Sequence, residues 1–185
     1  MRAHSKKMSS LNQPIVFTFL LIFGAYISAA PAQTRPPAPY SDRGACPFEC
    51  CTYRQWTVDK ATVIRSAMSD SSPVAFRLAK GERVRGITGV VITSQPGIAE
   101  GLKATEQNGV RIRRGDQIYL YTNLGEGFVK GWLKGRFFQA EVLDSDLFKI
   151  VRQPRSVWWV KVRNRQGKIG WSREPEHFGN MDQCG

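Results

Sequence analysis

Histidine is scarce in this 185-residue chain: His4 and His177 are the two instances. His4 falls in a leader, so acid–base or metal chemistry would rest on His177 within "REPEHF". Glu174 and Glu176 flank it, and His with carboxylates suits zinc, but a catalytic metal centre needs at least three ligands fixed by the fold. The segment reads as an exposed polar turn. A Cys–His pair with Cys184 requires a free thiol, which an oxidising compartment disfavours. Asp144 and Asp146 read as a loop or helix start. The chain has no G-x-S-x-G, no glycine-rich phosphate loop and no H-E-x-x-H. These absences point away from an enzyme and imply no catalytic residue, no metal and no cofactor. A cryptic cell-wall hydrolase is the reading they leave least room for.

Acidic residues are also few, 15 against 27 Lys and Arg, for a formal net charge of +12. No run of five basic residues occurs. No apolar stretch reaches the roughly 20 residues a membrane-spanning helix needs. The longest, "IVFTFLLIFGAYI" (15–27), follows Arg2, Lys6 and Lys7 and precedes "SAAPAQ". That is the layout of a secretory signal peptide, residues 1–32, with cleavage near Ala32. The expectation is a periplasmic or secreted protein with no stable membrane span after cleavage. The remaining charge suits anionic wall polymers, lipid headgroups or polyanionic glycans. Export argues against nucleic acid.

Residues 33–44, "QTRPPAPYSDRG", carry no apolar period and read as a flexible, extended linker. From about Arg54 short alternating runs ("ATVIRS", "VAFRL", "VRIRR", "QIYLYT", "VWWVKVR") are broken by Gly, Pro, Ser and Asn. Such patterning predicts an all-β barrel or sandwich. One helix is expected at most, over "AEVLDSDLFKIV" (140–151), with Val142, Leu143, Leu147, Ile150 and Val151 on one face.

An internal repeat is present. "FRLAKGERVRGITG" (76–89) aligns without gaps on "VRIRRGDQIYLYTN" (110–123), matching Gly81 with Gly115, Glu82 with Asp116 and Val84 with Ile118. Each copy reads as a strand, a basic-Gly-acidic turn and a second strand. A weaker echo links "GFVKGWLKGR" (127–136) with "WWVKVRNRQGKIGW" (158–171). Two related β units are expected, over 54–136 and 137–185 with strand exchange. Neither buries much alone, so a shared core is expected.

The segment "VWWVKVRNRQGKIGW" opens with paired Trp, passes Lys161 and Val162, turns through "NRQG" and returns to Trp171. "SREPEHF" follows, with room for one short 3₁₀ turn. With "TVIRSAMSDSSPVAFRLAKGERVRGI" (62–87), these residues resemble bacterial SH3-like domains, the small barrels of exported cell-envelope proteins. The resemblance covers roughly 57–90 and 155–178, and the region between departs from a single barrel. The cysteine-rich start, "YTNLGEGF" and the "GWSREPEHF" end also resemble an uncharacterised family of exported bacterial proteins. The SH3-like resemblance implies a non-catalytic binding module with an aromatic groove for a peptide or peptidoglycan fragment. Trp158 is its first candidate, with Tyr119, Tyr121, Phe128 and Trp132 from the other unit. Alternation puts Trp158, Val160 and Val162 on one face and Trp159, Lys161 and Arg163 on the other, so Trp159 is an alternative exposed ring. The competing reading is a structural or inhibitory partner of another envelope protein, acting through its basic surface.

"ACPFECC" (45–51) holds Cys46, Cys50 and Cys51, and Cys184 is the fourth cysteine. Adjacent Cys50 and Cys51 do not match the usual metal knuckle, and C-x-x-C is missing. In an exported chain the four read as two disulfides. A bridge between neighbours is strained, which leaves 46–51 with 50–184, or 46–50 with 51–184.

Overall fold

The computed structural model describes residues 35–184; the signal peptide expected over residues 1–32 lies outside them. In chain order the strands are β1 (Tyr40–Arg43), β2 (Gln55–Val58), β3 (Thr62–Arg65), β4 (Val74–Leu78), β5 (Arg83–Gln95), β6 (Gly97–Gly101), β7 (Thr105–Gln107) and β8 (Val110–Ile112). They continue as β9 (Gln117–Gly125), β10 (Phe128–Leu133), β11 (Arg136–Glu141), β12 (Phe148–Arg152), β13 (Arg155–Arg163), β14 (Ile169–Ser172) and β15 (Phe178–Gly179). The fold is all-β and barrel-like, and the one helical element among the described residues is a 3₁₀ turn, Pro175–His177. No α-helix forms over 140–151. β11 runs to Glu141, a turn follows, and β12 starts at Phe148. Asp144 Oδ1 accepts from Asp146 N (2.8 Å), and this side chain-to-backbone bond competes with helix at that point.

Two sheets share one strand order. The first runs β15-β2-β5-β13-β14-β3-β4, with β1 added to β5. The second runs β12-β6-β9-β10-β11, and the β7-β8 hairpin sits beside β11. Element by element, β2, β3, β4, β5, β13, β14 and β15 match β6, β7, β8, β9, β10, β11 and β12. The second copy is contiguous in sequence and inserted between β5 and β13, where Gln95 lies opposite Arg155. The division between units therefore falls at 97 and 152 rather than at 136. Chain order alone hides a nested arrangement, because the outer copy resumes after the insert.

The repeated motif makes the same corner in each copy. Gly81 (φ 88°) and Gly115 (φ 84°) occupy the left-handed region that L side chains disfavour. The acid beside each caps the turn: Ala79 N donates to Glu82 Oε1 (2.7 Å) and Arg113 N to Asp116 Oδ2 (2.9 Å). The corner then clamps the first strand of its copy. Val58 N donates to Glu82 O (2.9 Å) and Gly81 N to Val58 O (2.7 Å); Gly101 N donates to Asp116 O (3.0 Å) and Gly115 N to Gly101 O (2.8 Å).

Burial follows the repeat too. Leu78 and Val84 fill the outer core with Trp56, Ile64, Val160, Val162 and Phe178. Their counterparts Ile112 and Ile118 fill the inserted core with Leu120, Leu133, Phe138 and Phe148. Buried residues thus form two clusters, one per copy, in place of one shared core. Each fully buried aliphatic contributes about 1.5–3 kcal/mol.

The bridges are Cys46–Cys51 and Cys50–Cys184, the first of the two pairings the sequence leaves open. The second joins residues 134 apart and ties the chain ends, which also pair through Thr52 N to Met181 O (2.8 Å). The linker expectation fails over residues 40–43, which form β1 against Val90–Thr93 of β5. Asp42 is buried there and meets Lys130 Nζ of β10 at 2.5 Å.

Candidate functional site

The six aromatic candidates do not line one groove. Trp158 is half-buried, packs on the outer core and meets Phe48 edge-on, ring centroids 5.9 Å apart. It closes with Tyr53 over Gly89, where any side chain would collide with both rings. Trp159 does face the other way, yet it is 5 % exposed. The β3–β4 loop and Arg173, paired with Asp70, border the space over its ring. Alternation fixed the face correctly but carries no information about a loop that folds across it.

Tyr119, Tyr121 and Trp132 do share the outer face of the inserted sheet. Tyr119 stacks edge-on against the buried Trp132, 5.6 Å between centroids. Tyr121 meets Phe137 at 5.2 Å and Tyr40 at 5.0 Å. Its hydroxyl donates to Pro37 O (3.0 Å), and burial pushes that hydroxyl up to about 12. This aromatic face is therefore already covered by the chain's own proline-rich segment. Phe128 stands apart, half-buried at the start of β10.

An open concavity lies elsewhere, a cleft of about 410 Å³ between the cysteine loop and the inserted sheet. Phe48 and Glu49 form one wall. Leu120, Val129, Val142, Leu143 and Ile150 line the apolar side, and Glu126 stands on the rim. The bridge Cys46–Cys51 holds the cysteine loop compact, and Gly125 lets it dock: a Cβ there would come within 2.9 Å of Glu49 N. The "YTNLGEGF" segment supplies Tyr121, Asn123, Gly125, Glu126 and Gly127 to the cleft. Leu143 is 70 % exposed at its edge. Reading 140–151 as a helix turned Leu143 inward and concealed this.

The region around His177 is a buried network, not the exposed turn expected. Its ring is buried, with Nδ1 3.3 Å from Glu174 Oε2 in a geometry too poorly aligned for a hydrogen bond. That carboxylate accepts from Thr62 Oγ1 (2.6 Å), while Glu176 is exposed and takes no part. The network pins β3 to the 3₁₀ turn. Glu49 lies with Cys50 and Cys184 in a group whose ligand atoms are within 4.8 Å of one another, but both sulfurs are bonded to each other. No helix among the described residues is long and apolar enough to cross a membrane. Compared with known proteins, the chain matches no family model, no curated protein and no solved structure.

Proposed function

We propose that this is an exported, non-catalytic binding module that grips a peptide, free or as part of a cell-wall fragment, in the cleft beside the cysteine loop. The observation that carries the reading is that cleft: about 410 Å³, with Leu120, Val129, Val142, Leu143 and Ile150 of the inserted copy on its apolar side. Pockets of this size with a few placed polar groups are the usual form of a ligand site. Glu49 and Glu126 are the charged groups at its wall and rim, so the favoured segment pairs an apolar side chain with a neighbouring basic group. The two disulfides suit an oxidising compartment and hold one wall in place. The buried His177 and the bonded cysteines support a non-catalytic role. The aromatic contribution moves accordingly, from the Trp158 strand to Phe48 at the cleft wall.

A peptide library displayed on phage and panned against the full chain tests the reading, together with retention on purified peptidoglycan. The expected result is enrichment of sequences with an apolar residue beside Lys or Arg. Leu143→Asp should weaken their binding at least tenfold, with an unchanged melting temperature. Enrichment of nothing, with no retention on peptidoglycan, sinks the reading. So does equal binding by Leu143→Asp.

A further inference from the structure

Four arginines converge at the far end of the β5–β13 pair from the cleft. Arg83 and Arg85 leave the start of β5, Arg163 ends β13, and Arg165 lies on the following turn. With Gln55, Val84 and Asn164 they line a depression of about 340 Å³ that has no carboxylate in its wall. Among the described residues none of the four forms an ion pair with an Asp or Glu. Glu82, the acid next to Arg83, is committed to capping Ala79 N.

The arrangement works against stability. Arg85 sits directly opposite Arg163 in the β5–β13 register, and like charges so placed destabilise a sheet. Fold alone does not require them there. The matching positions of the inserted copy are Tyr119 and Trp132, also directly opposite each other, which form an aromatic pair. The same strand order is thus built with an attractive pair in one copy and a repulsive pair in the other.

The turn that carries Arg165 is ordered. Asn164 Oδ1 accepts from Gln166 N (3.0 Å) and Lys168 N (2.9 Å), and Gly167 N donates to Asn164 O (3.1 Å). The guanidinium groups therefore stand on fixed backbone. Guanidinium forks match the oxygens of phosphate in paired hydrogen bonds. A single carboxylate offers one charge to four cations, whereas a diphosphate offers several charges and oxygens on every side. We infer that Arg83, Arg85, Arg163 and Arg165 form a binding site for a phosphate-bearing anion of two or more charges. The site is separate from the cleft, about 25 Å away along β13 at 3.3 Å per residue.

Calorimetric titration of the full chain with inorganic pyrophosphate at about 0.1 M salt, where long-range surface effects are largely screened, tests this. Sedimentation with vesicles containing cardiolipin, whose headgroup carries two phosphates, against phosphatidylcholine controls, runs in parallel. Arg85→Gln with Arg163→Gln should weaken binding at least tenfold, the loss expected for a charge-assisted contact. The same variant should melt no lower than the parent, because it removes a repulsion, so misfolding is distinguishable from loss of the site. Lys149→Gln, an exposed charge change on the inserted sheet, should leave binding unchanged. Pyrophosphate binding lost in the double variant identifies a free or polymer-borne phosphate. Vesicle binding alone, lost in the same variant, identifies a lipid headgroup. Failure of both probes to bind, or equal weakening by Lys149→Gln, overturns the proposal.

Discussion

The two copies of the strand order differ in how they close and in what they show to solvent. In the outer copy β14 pairs with β3 through backbone, Trp171 opposite Arg65. In the inserted copy the equivalent seam is made by side chains: Gln107 bonds the backbone of Glu141 at both N and O (3.0 Å each), and Asn108 reaches Gln139 O (2.7 Å). The outer copy draws on both chain ends and is tied by Cys50–Cys184; the inserted copy is one unbroken stretch with no cysteine. What both keep is the glycine corner, its acidic cap and the aliphatic positions on either side. The corner and core define the unit, and the outward faces are free to diverge, one basic and one aromatic.

The largest expected effect separates the copies by their staple. Cys50→Ser with Cys184→Ser removes a constraint across 134 residues, worth about 4–5 kcal/mol on a chain-entropy estimate. Hydrogen exchange should show protection falling first in β2 and β15, with β9 and β10 holding longer. Equal loss in all four strands would mean that the copies unfold as one, and the distinction fails.

The next test asks whether the corners are equivalent. Gly81→Ala and Gly115→Ala meet no atom within 4 Å, so each measures backbone strain alone. Each should cost about 1–2 kcal/mol by denaturant unfolding, and the two values should agree closely. A near-zero cost at either position would show that its corner is not the fixed point of that copy.

The smallest effect concerns the aromatic face and its proline-rich cover. Tyr121→Phe removes the bond to Pro37 O and should cost about 1 kcal/mol. Burial pushes the Tyr121 hydroxyl up to about 12 from a usual value of 10.0, and the Tyr53 hydroxyl likewise. Unfolded chains therefore lose these protons first. Stability is held below pH 10 and falls as the pH climbs toward 12. Tyr121→Phe should show a shallower alkaline fall than the parent, with Tyr53 accounting for the remainder. An identical alkaline profile would place the Tyr121 hydroxyl in solvent, not under the cover.

The repeat was legible because it resides in local chemistry. A basic residue, a glycine and an acid specify one corner wherever they occur, and the flanking aliphatics at an offset of 34 are the same core positions. The 3₁₀ turn in "REPEHF" was legible for the same reason, with its proline at the first position. Nesting was not legible, since the opposition of Gln95 and Arg155 is a relation between distant residues. The strand at Tyr40–Arg43 was hidden because Asp42 looks solvated until Lys130 is brought to it from β10. For the cleft, the sequence showed both contributing segments, "ACPFECC" and "YTNLGEGF". Their meeting depends on a backbone approach at Gly125 that no local pattern encodes.

The nesting has a consequence for the order in which the protein takes shape. Once the chain up to residue 152 has emerged into the compartment where it folds, the inserted copy has all of its strands, while the outer copy still lacks β13, β14 and β15. β5 and β13 are then separated by residues 96–154, and closing such a loop from a flexible chain costs about 3 kcal/mol more than closing a two-residue turn. An insert that is already folded presents β6 and β12 side by side and brings Gln95 to Arg155 without that cost. In the history of each molecule the second copy acts as a prefabricated hairpin turn for the first.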